Sequence, residues 1–477
     1  MIKKDNKITI SQKDHYTGNF GMVLRGSAIF YAANDDDIKT TISFIDYWKL
    51  KRGLNVAIVT NIRRMDGSLI ERKLLQFVDG MVINFCPDYN FEGSIEIEVF
   101  SLENMVIPFS AFMAVYETEQ SISMVHSYAR IYSPHEIEEG RVITKGRESC
   151  WTIRDSQEVQ SFCVMHNGAL TQNEQIANIV ITLSDNKRYF YSISIPELSA
   201  YATYRINLAE YIDNLVEILD GKSANASINF EVKGAFTRLL VGNESKETKE
   251  IQVTHSNFNY QKHETDLCED QNENAYMHLV EMTGIDLNAI VYPDMVEGSY
   301  SVTDGDDTLE FNSSERLEFR PITDTLSFSR SGGRLPTRIV TSITGGHDNK
   351  LPFECSLGVF HKGHPLKRMH WGIASISENL KGSLFITALS EIHGKIKDEK
   401  FIVRLYSQIS FEYIEITLNS SEINDFQSGV LFSDIFTEGG VFLSNRFGYY
   451  TVYSEYGGLV VYSSIEKSNS VTIEHSF

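Results

Sequence analysis

The sequence predicts an all-β protein built from three tandem β-sandwich or jelly-roll-like modules, with one short crossover helix and an acidic connector. Three observations carry that expectation. A phrase of the form apolar-x-His-Ser closes a strand-like run three times, at Met124-Val125-His126-Ser127, Val253-Thr254-His255-Ser256 and Ile473-Glu474-His475-Ser476. A phrase that recurs at corresponding places marks one structural unit used repeatedly. The 477 residues suit about three domains of ordinary size. Strand formers dominate throughout, with 28 Phe and 23 Tyr in a chain that is 42% hydrophobic.

Taken in order, residues 1–140 read as the first module with its N-terminal lead. The start, Met1-Ile2-Lys3-Lys4, carries positive charge but no apolar stretch follows it, so a cleaved signal peptide is not expected. Nor does any run approach the ~18 apolar residues of a membrane span. These features predict a cytoplasmic protein, or one exported without a cleaved signal. Ala57-Ile58-Val59-Thr60-Asn61-Ile62 reads as a strand, echoed by Ile179-Val180-Ile181-Thr182 and Ile339-Val340-Thr341. Met65-Asp66-Gly67-Ser68 is a hairpin turn, and Ser94-Ile95-Glu96-Ile97-Glu98-Val99 alternates as a half-buried strand does.

Residues 141–263 form the second expected module. Leu208, Ile212, Leu215 and Leu219 recur at helical spacing before Gly221, which predicts the crossover helix over 208–220; 422–426 reads as a shorter counterpart. Residues 264–335 are the expected acidic connector, since 264–315 holds fourteen Asp or Glu and no Lys or Arg. Residues 336–477 are the third module, in which Gly457-Gly458 marks a second hairpin.

Charge and motif content exclude several functions. The net charge of −21 repels nucleic-acid backbones and anionic membranes alike. Five scattered cysteines without a Cys-x-x-Cys pair make neither a disulfide framework nor a zinc knuckle. There is no Gly-x-Ser-x-Gly elbow, Walker loop, dinucleotide fingerprint or His-Glu-x-x-His helix.

The candidate sites are local. His361-Lys362-Gly363-His364-Pro365-Leu366-Lys367-Arg368-Met369-His370-Trp371 gathers three histidines, three cations and a tryptophan. Aromatic faces beside cations suit an anionic sugar, so His361, His364, Lys367, Arg368, His370 and Trp371 are the expected ligand-binding residues. Trp48, beside Lys49, Lys51 and Arg52, is a second platform of that kind, although a Trp anchoring the core fits the same residues. Asp304, Asp306, Asp307 and Glu310 surround Gly305 as hard oxygen donors for calcium, the one cofactor the sequence suggests; an ordinary Asp-Gly hairpin is the competing reading. His126, His255 and His475 share the apolar face of their strands. In a linear array such positions stay apart, so each is expected to be separately buried and bonded to backbone; convergence would instead give a three-nitrogen metal site.

The reading that fits best is a non-catalytic binding or assembly protein, for carbohydrate at a cell surface or in its biosynthesis. A saccharide-active enzyme with carboxylate and His361, His364 or His370 chemistry at a module interface is one alternative. A structural subunit of a particle or filament is the other.

Overall fold

The fold is described by a computed structural model covering residues 24–102, 112–138, 140, 142–258, 267–268 and 274–476. It is all-β, in antiparallel sheets that pair into sandwiches. The first sandwich places β1 (Leu24–Asn34), β6 (Phe91–Ser101), β3 (Ala57–Arg64) and β4 (Leu69–Leu75) in that order in one sheet. Its other sheet runs β5 (Val82–Phe85), β2 (Ile38–Ile45), β7 (Phe112–Thr118), β8 (Ile122–His126).

The second sandwich repeats this with β10 (Ile143–Ile153), β15 (Ala224–Lys233), β12 (Gln175–Leu183) and β13 (Arg188–Ile195), and with β14 (Thr203–Asn207), β11 (Val159–His166), β17 (Leu240–Ser245) and β18 (Ile251–His255). A third has β20 (Ala275–His278), β25 (Thr325–Arg330), β22 (Ser299–Asp304) and β23 (Asp307–Asn312), and β24 (Leu317–Phe319), β21 (Asn288–Val291), β26 (Thr341–Gly345) and β27 (Phe353–Leu357). The last has β29 (Met369–Ala374), β34 (Gly448–Ser454), β31 (Lys400–Tyr406) and β32 (Tyr413–Asn419), and β33 (Val430–Leu431), β30 (Lys381–Ala388), β35 (Leu459–Lys467) and β36 (Ser470–His475). If the strands of each sandwich are counted in chain order, leaving out the linking strands, every copy pairs them 1-6-3-4 and 5-2-7-8.

The chain thus makes four sandwiches rather than three. Residues 264–335, expected as a connector, supply six strands of the third, and a boundary at 336 would cut its second sheet between β21 and β26. The acidic residues misled because most of those described lie in the turns between these short strands, while Asp307 and Glu310 are exposed on β23, where charge is compatible with pairing. The echo at Val340-Thr341 runs into β26, the seventh strand of its sandwich, whereas Val59 and Val180 lie on third strands, so those runs are not equivalent. Gly457-Gly458 does not close a hairpin: β34 bonds β29 and β31, while β35 bonds β30 and β36. The glycines reverse the chain, with Gly457 at φ 67°, and hand it from one sheet to the other.

The crossover helix is broken into a 3₁₀ turn, Leu208–Glu210, and a short helix, Leu215–Leu219. All four spaced apolar residues are buried, as the periodicity requires. Asp213 and Asn214, which prefer turns to helix interiors, interrupt it, and Asp220 and Gly221 end it in the left-handed region. It links β14 to β15 across the two sheets. The counterpart in the last sandwich is the pair Phe432–Ile435 and Gly439–Leu443, between β33 and β34; the 3₁₀ segment Glu422–Ser428 precedes β33.

The alternating strand β6 is buried on both faces. Ile95, Ile97 and Val99 enter the core, and Glu96 and Glu98 are buried opposite them. Glu96 accepts from Arg25 at 2.7 Å and Arg63 at 2.8 Å; Glu98 accepts from Arg25 at 2.6 Å and Arg72 at 2.8 Å, and Asn61 bonds both. Neighbouring chain completes the cover. β9 (Ala129–Ile131) adds to β1, β16 (Ala235–Thr237) from the second sandwich adds to β9, and the Tyr201 ring lies 4.5 Å from the Arg63 guanidinium.

The sandwiches close on one another through their eighth strands. β8 packs against β18 and β36, and β27 packs against the same two. Each eighth strand is the last of its sheet, so its outer edge would expose a row of unpaired backbone groups. Side chains of the neighbouring eighth strand cover that edge. Ser470, Thr472 and Glu474 accept from the backbone N–H of Ile122, Met124 and His126 at 3.2–3.3 Å. Ser123 accepts from Val253 N–H at 2.9 Å, and Gln252 donates to the carbonyls of Ile122 and Val471. The result is a ring of four sandwiches around four central strands. Among the described residues, no helix is long and apolar enough to cross a membrane.

Candidate functional site

The ring brings together what a linear array would have kept apart. His126, His255 and His475 end β8, β18 and β36, and one ring nitrogen from each lies within 4.8 Å of the others. The ring centroids of His126 and His255 are 4.4 Å apart, and those of His126 and His475 are 5.2 Å apart. The expectation of three separate core histidines is therefore overturned, because equivalent strand ends meet at the axis of a closed ring. In the third sandwich the corresponding strand end is Leu357, followed by Gly358 in place of serine.

The histidines are held from behind. His126 Nδ1 lies 3.2 Å from Glu474 Oε1, and His255 Nδ1 lies 2.9 Å from the Ser256 carbonyl. An ionised carboxylate and a carbonyl only accept, so both Nδ1 atoms carry the proton and both Nε2 atoms carry a lone pair. Arg238 also approaches His255 Nδ1, at 3.5 Å, but the shorter carbonyl contact sets the tautomer. Burial, with His126 and Arg238 nearby, holds the His255 imidazole well below its usual pKa. Burial lowers His475 to about 4 against the raising effect of Glu474. Burial alone would raise the Glu474 carboxyl, but the neighbouring His126 ring and its hydrogen bond bring it below the ordinary value.

The serine of the repeated phrase closes the strand. Ser127, Ser256 and Ser476 each donate backbone N–H to the seventh strand or its approach, at Phe112, Leu239 and Val461. Their hydroxyls bond locally, Ser127 to Phe112 O and Ser256 to Leu239 N.

The two aromatic–cation segments also meet, between the first and last sandwiches. Trp48, in the short helix Tyr47–Arg52, is fully buried against Phe112. Trp371, in β29, is 3% exposed, with the Tyr47 ring 4.8 Å away. Lys51 Nζ is 5.0 Å and Lys367 Nζ 5.2 Å from the Trp371 ring centre. Neither indole offers an open stacking face. Arg368 is exposed and pairs with Glu455 at 3.2 Å. His361 and His364 are half-buried beside Phe360, and His370 is buried.

The acidic donors are arranged as a hairpin turn. Asp304 pairs with Asp307 across Gly305 and Asp306, with Gly305 at φ 63°. The buried Asp304 carboxylate accepts from the N–H groups of Ile322 and Thr323 and the Thr323 hydroxyl, at 2.6–2.8 Å. Asp306, Asp307 and Glu310 point to solvent. Among the described residues, the group close enough to ligate one ion is the histidine trio. Cys163 and Cys355 are buried in strands, while Cys86 is exposed just beyond β5.

Buried neutral histidines make stability depend on pH. Burial lowers His166, bonded to Tyr128 Oη at 2.9 Å and Thr203 Oγ1 at 3.0 Å, to about 3, and burial likewise takes His370 to about 3. A folded pKa below the unfolded value of about 6.5 means that the unfolded chain binds more protons. Stability is then fully present above about pH 6.5 and falls by about 1.4 kcal/mol per pH unit per histidine below it. Urea unfolding at pH 5.5 should show a loss of about 3 kcal/mol relative to pH 7.5 from this pair, and His370→Phe should remove its half. A flat profile between those pH values would contradict the buried neutral assignment.

No protein-family model and no curated protein sequence matches this chain.

Proposed function

We propose that this is a non-catalytic binding or assembly protein that gathers an anionic carbohydrate, of the kind found in surface polysaccharides, at the seam between its first and last sandwiches. The observation that carries this reading is the pair Lys51 and Lys367. Both ammonium groups lie over the Trp371 ring, and no carboxylate forms an ion pair with either among the described residues. Burial, with the Lys51 charge adding to it, lowers Lys367 to about 8. In a chain of net charge −21, two cations that meet aromatic rings but no carboxylate among the described residues are an unsatisfied electrostatic demand that a carboxylate or sulfate would meet. The buried indole serves as the floor of such a site, and its ligand is held by charge and not by ring stacking.

The test is a glycan array containing uronate, sulfated and neutral sugars. Binding to the acidic members should fall about 10-fold or more in Lys51→Ala/Lys367→Met, with the melting temperature unchanged or raised because the cation repulsion is gone. Hits confined to neutral sugars would defeat the proposal. An empty array together with sugar turnover abolished in His364→Ala would replace it with the enzyme reading.

A further inference from the structure

The centre of the ring carries a second inference, which stands whether or not the protein binds glycans. We propose that His126, His255 and His475 hold one structural divalent transition-metal ion, zinc being the closest fit, which ties the first, second and last sandwiches together. Three nitrogens that already lie within 4.8 Å of one another approach the spacing of a tetrahedral site; zinc–nitrogen bonds of about 2.0–2.1 Å put such nitrogens roughly 3.4 Å apart. Rotations moving each ring by about 1 Å close that gap.

The surroundings match what a metal requires of histidine. Ligating imidazoles characteristically donate their second N–H to a carboxylate or backbone carbonyl, which orients the ring and raises its basicity. His126 has Glu474 in that role and His255 has the Ser256 carbonyl. The tautomers these contacts impose leave Nε2 as the lone-pair atom in both. Imidazole donors without thiolate or a second carboxylate favour zinc, copper or nickel over calcium or magnesium. Glu474 supplies a compensating negative charge, while Arg238 beside His255 opposes the cation.

The ion would act as a staple and not as a reaction centre. Its ligands come from three separate sandwiches, and two of them are buried. A metal that binds only the closed ring stabilises that ring by its binding free energy. Each eighth strand ends at the axis, so the site exists only when the ring is closed.

The experiment uses the full chain, stripped with chelator and dialysed against buffer containing micromolar zinc chloride. Metal analysis after gel filtration should give one zinc per chain, with a rise in melting temperature over the stripped protein. His126→Gln, His255→Gln and His475→Gln should each abolish retention, and Glu474→Gln should weaken it by about 10–100-fold. Should the variants fail to fold, cobalt substituted into the wild-type chain gives an independent reading. Visible absorption bands of four-coordinate cobalt support the site, and the weak spectrum of six-coordinate aqueous cobalt overturns it. The proposal also fails if wild-type protein retains no zinc, or if the histidine variants retain it as well as wild type does.

Discussion

Trp371→Ala should lower the unfolding free energy by about 3–5 kcal/mol, the cost of emptying a buried indole site. The residue was legible in sequence as part of a surface cluster, but its ring is 3% exposed and belongs to a core shared by the first and last sandwiches, in which Trp371 and Ile373 of β29 meet Tyr47 and Trp48. That core continues into the last sandwich through Tyr406, Phe447 and Tyr449, whose hydroxyl donates to the Ser43 carbonyl at 2.7 Å. Trp371→Phe, which keeps an aromatic ring against Tyr47, should recover most of the lost energy. Urea midpoints for the two variants decide the matter; a loss under about 1 kcal/mol for the alanine variant would place the indole at a surface after all.

A comparable loss, about 3–5 kcal/mol, is expected for Glu96→Ala. Glu96 is 1% exposed and takes hydrogen bonds from Arg25, Arg63 and Asn61. Removing one partner of a buried ionic network strands the others, and a stranded buried cation costs more than the intact pair contributes. Arg63 is the more damaging orphan, because it is itself buried beneath Tyr201. Salt should change the effect little, since water and ions do not reach the pair. Denaturant unfolding at low and high salt provides the measurement. A small effect that disappears with salt would mean that the network is solvated and that the seam with the second sandwich is open.

Local chemistry carried a good part of the fold. Alternation set the strands: the apolar side of β6 is buried at Ile95, Ile97 and Val99, and the turn at Met65-Asp66-Gly67-Ser68 joins β3 to β4 as its residues require. The periodic leucines and isoleucine between 208 and 219 are buried, although two turn-forming residues split their helix. The recurring His-Ser phrase marked the eighth strand of three sandwiches correctly. It missed the fourth copy because Phe353–Leu357 ends in Leu357-Gly358, which leaves the shared topology with no shared wording.

What the sequence determined by itself was the strand class, the repetition, and which residue types could do chemistry, because these follow from side-chain periodicity and composition within a few residues. Tertiary structure alone decided that the repeats form a ring, that Lys51 and Lys367 share one indole, and that three distant histidines face one point. The physical reason is the same in each case. A sheet edge must find hydrogen-bond partners, and those partners are Ser470, Thr472 and Glu474, hundreds of positions from the strand that they cover; no local pattern in β8 specifies them.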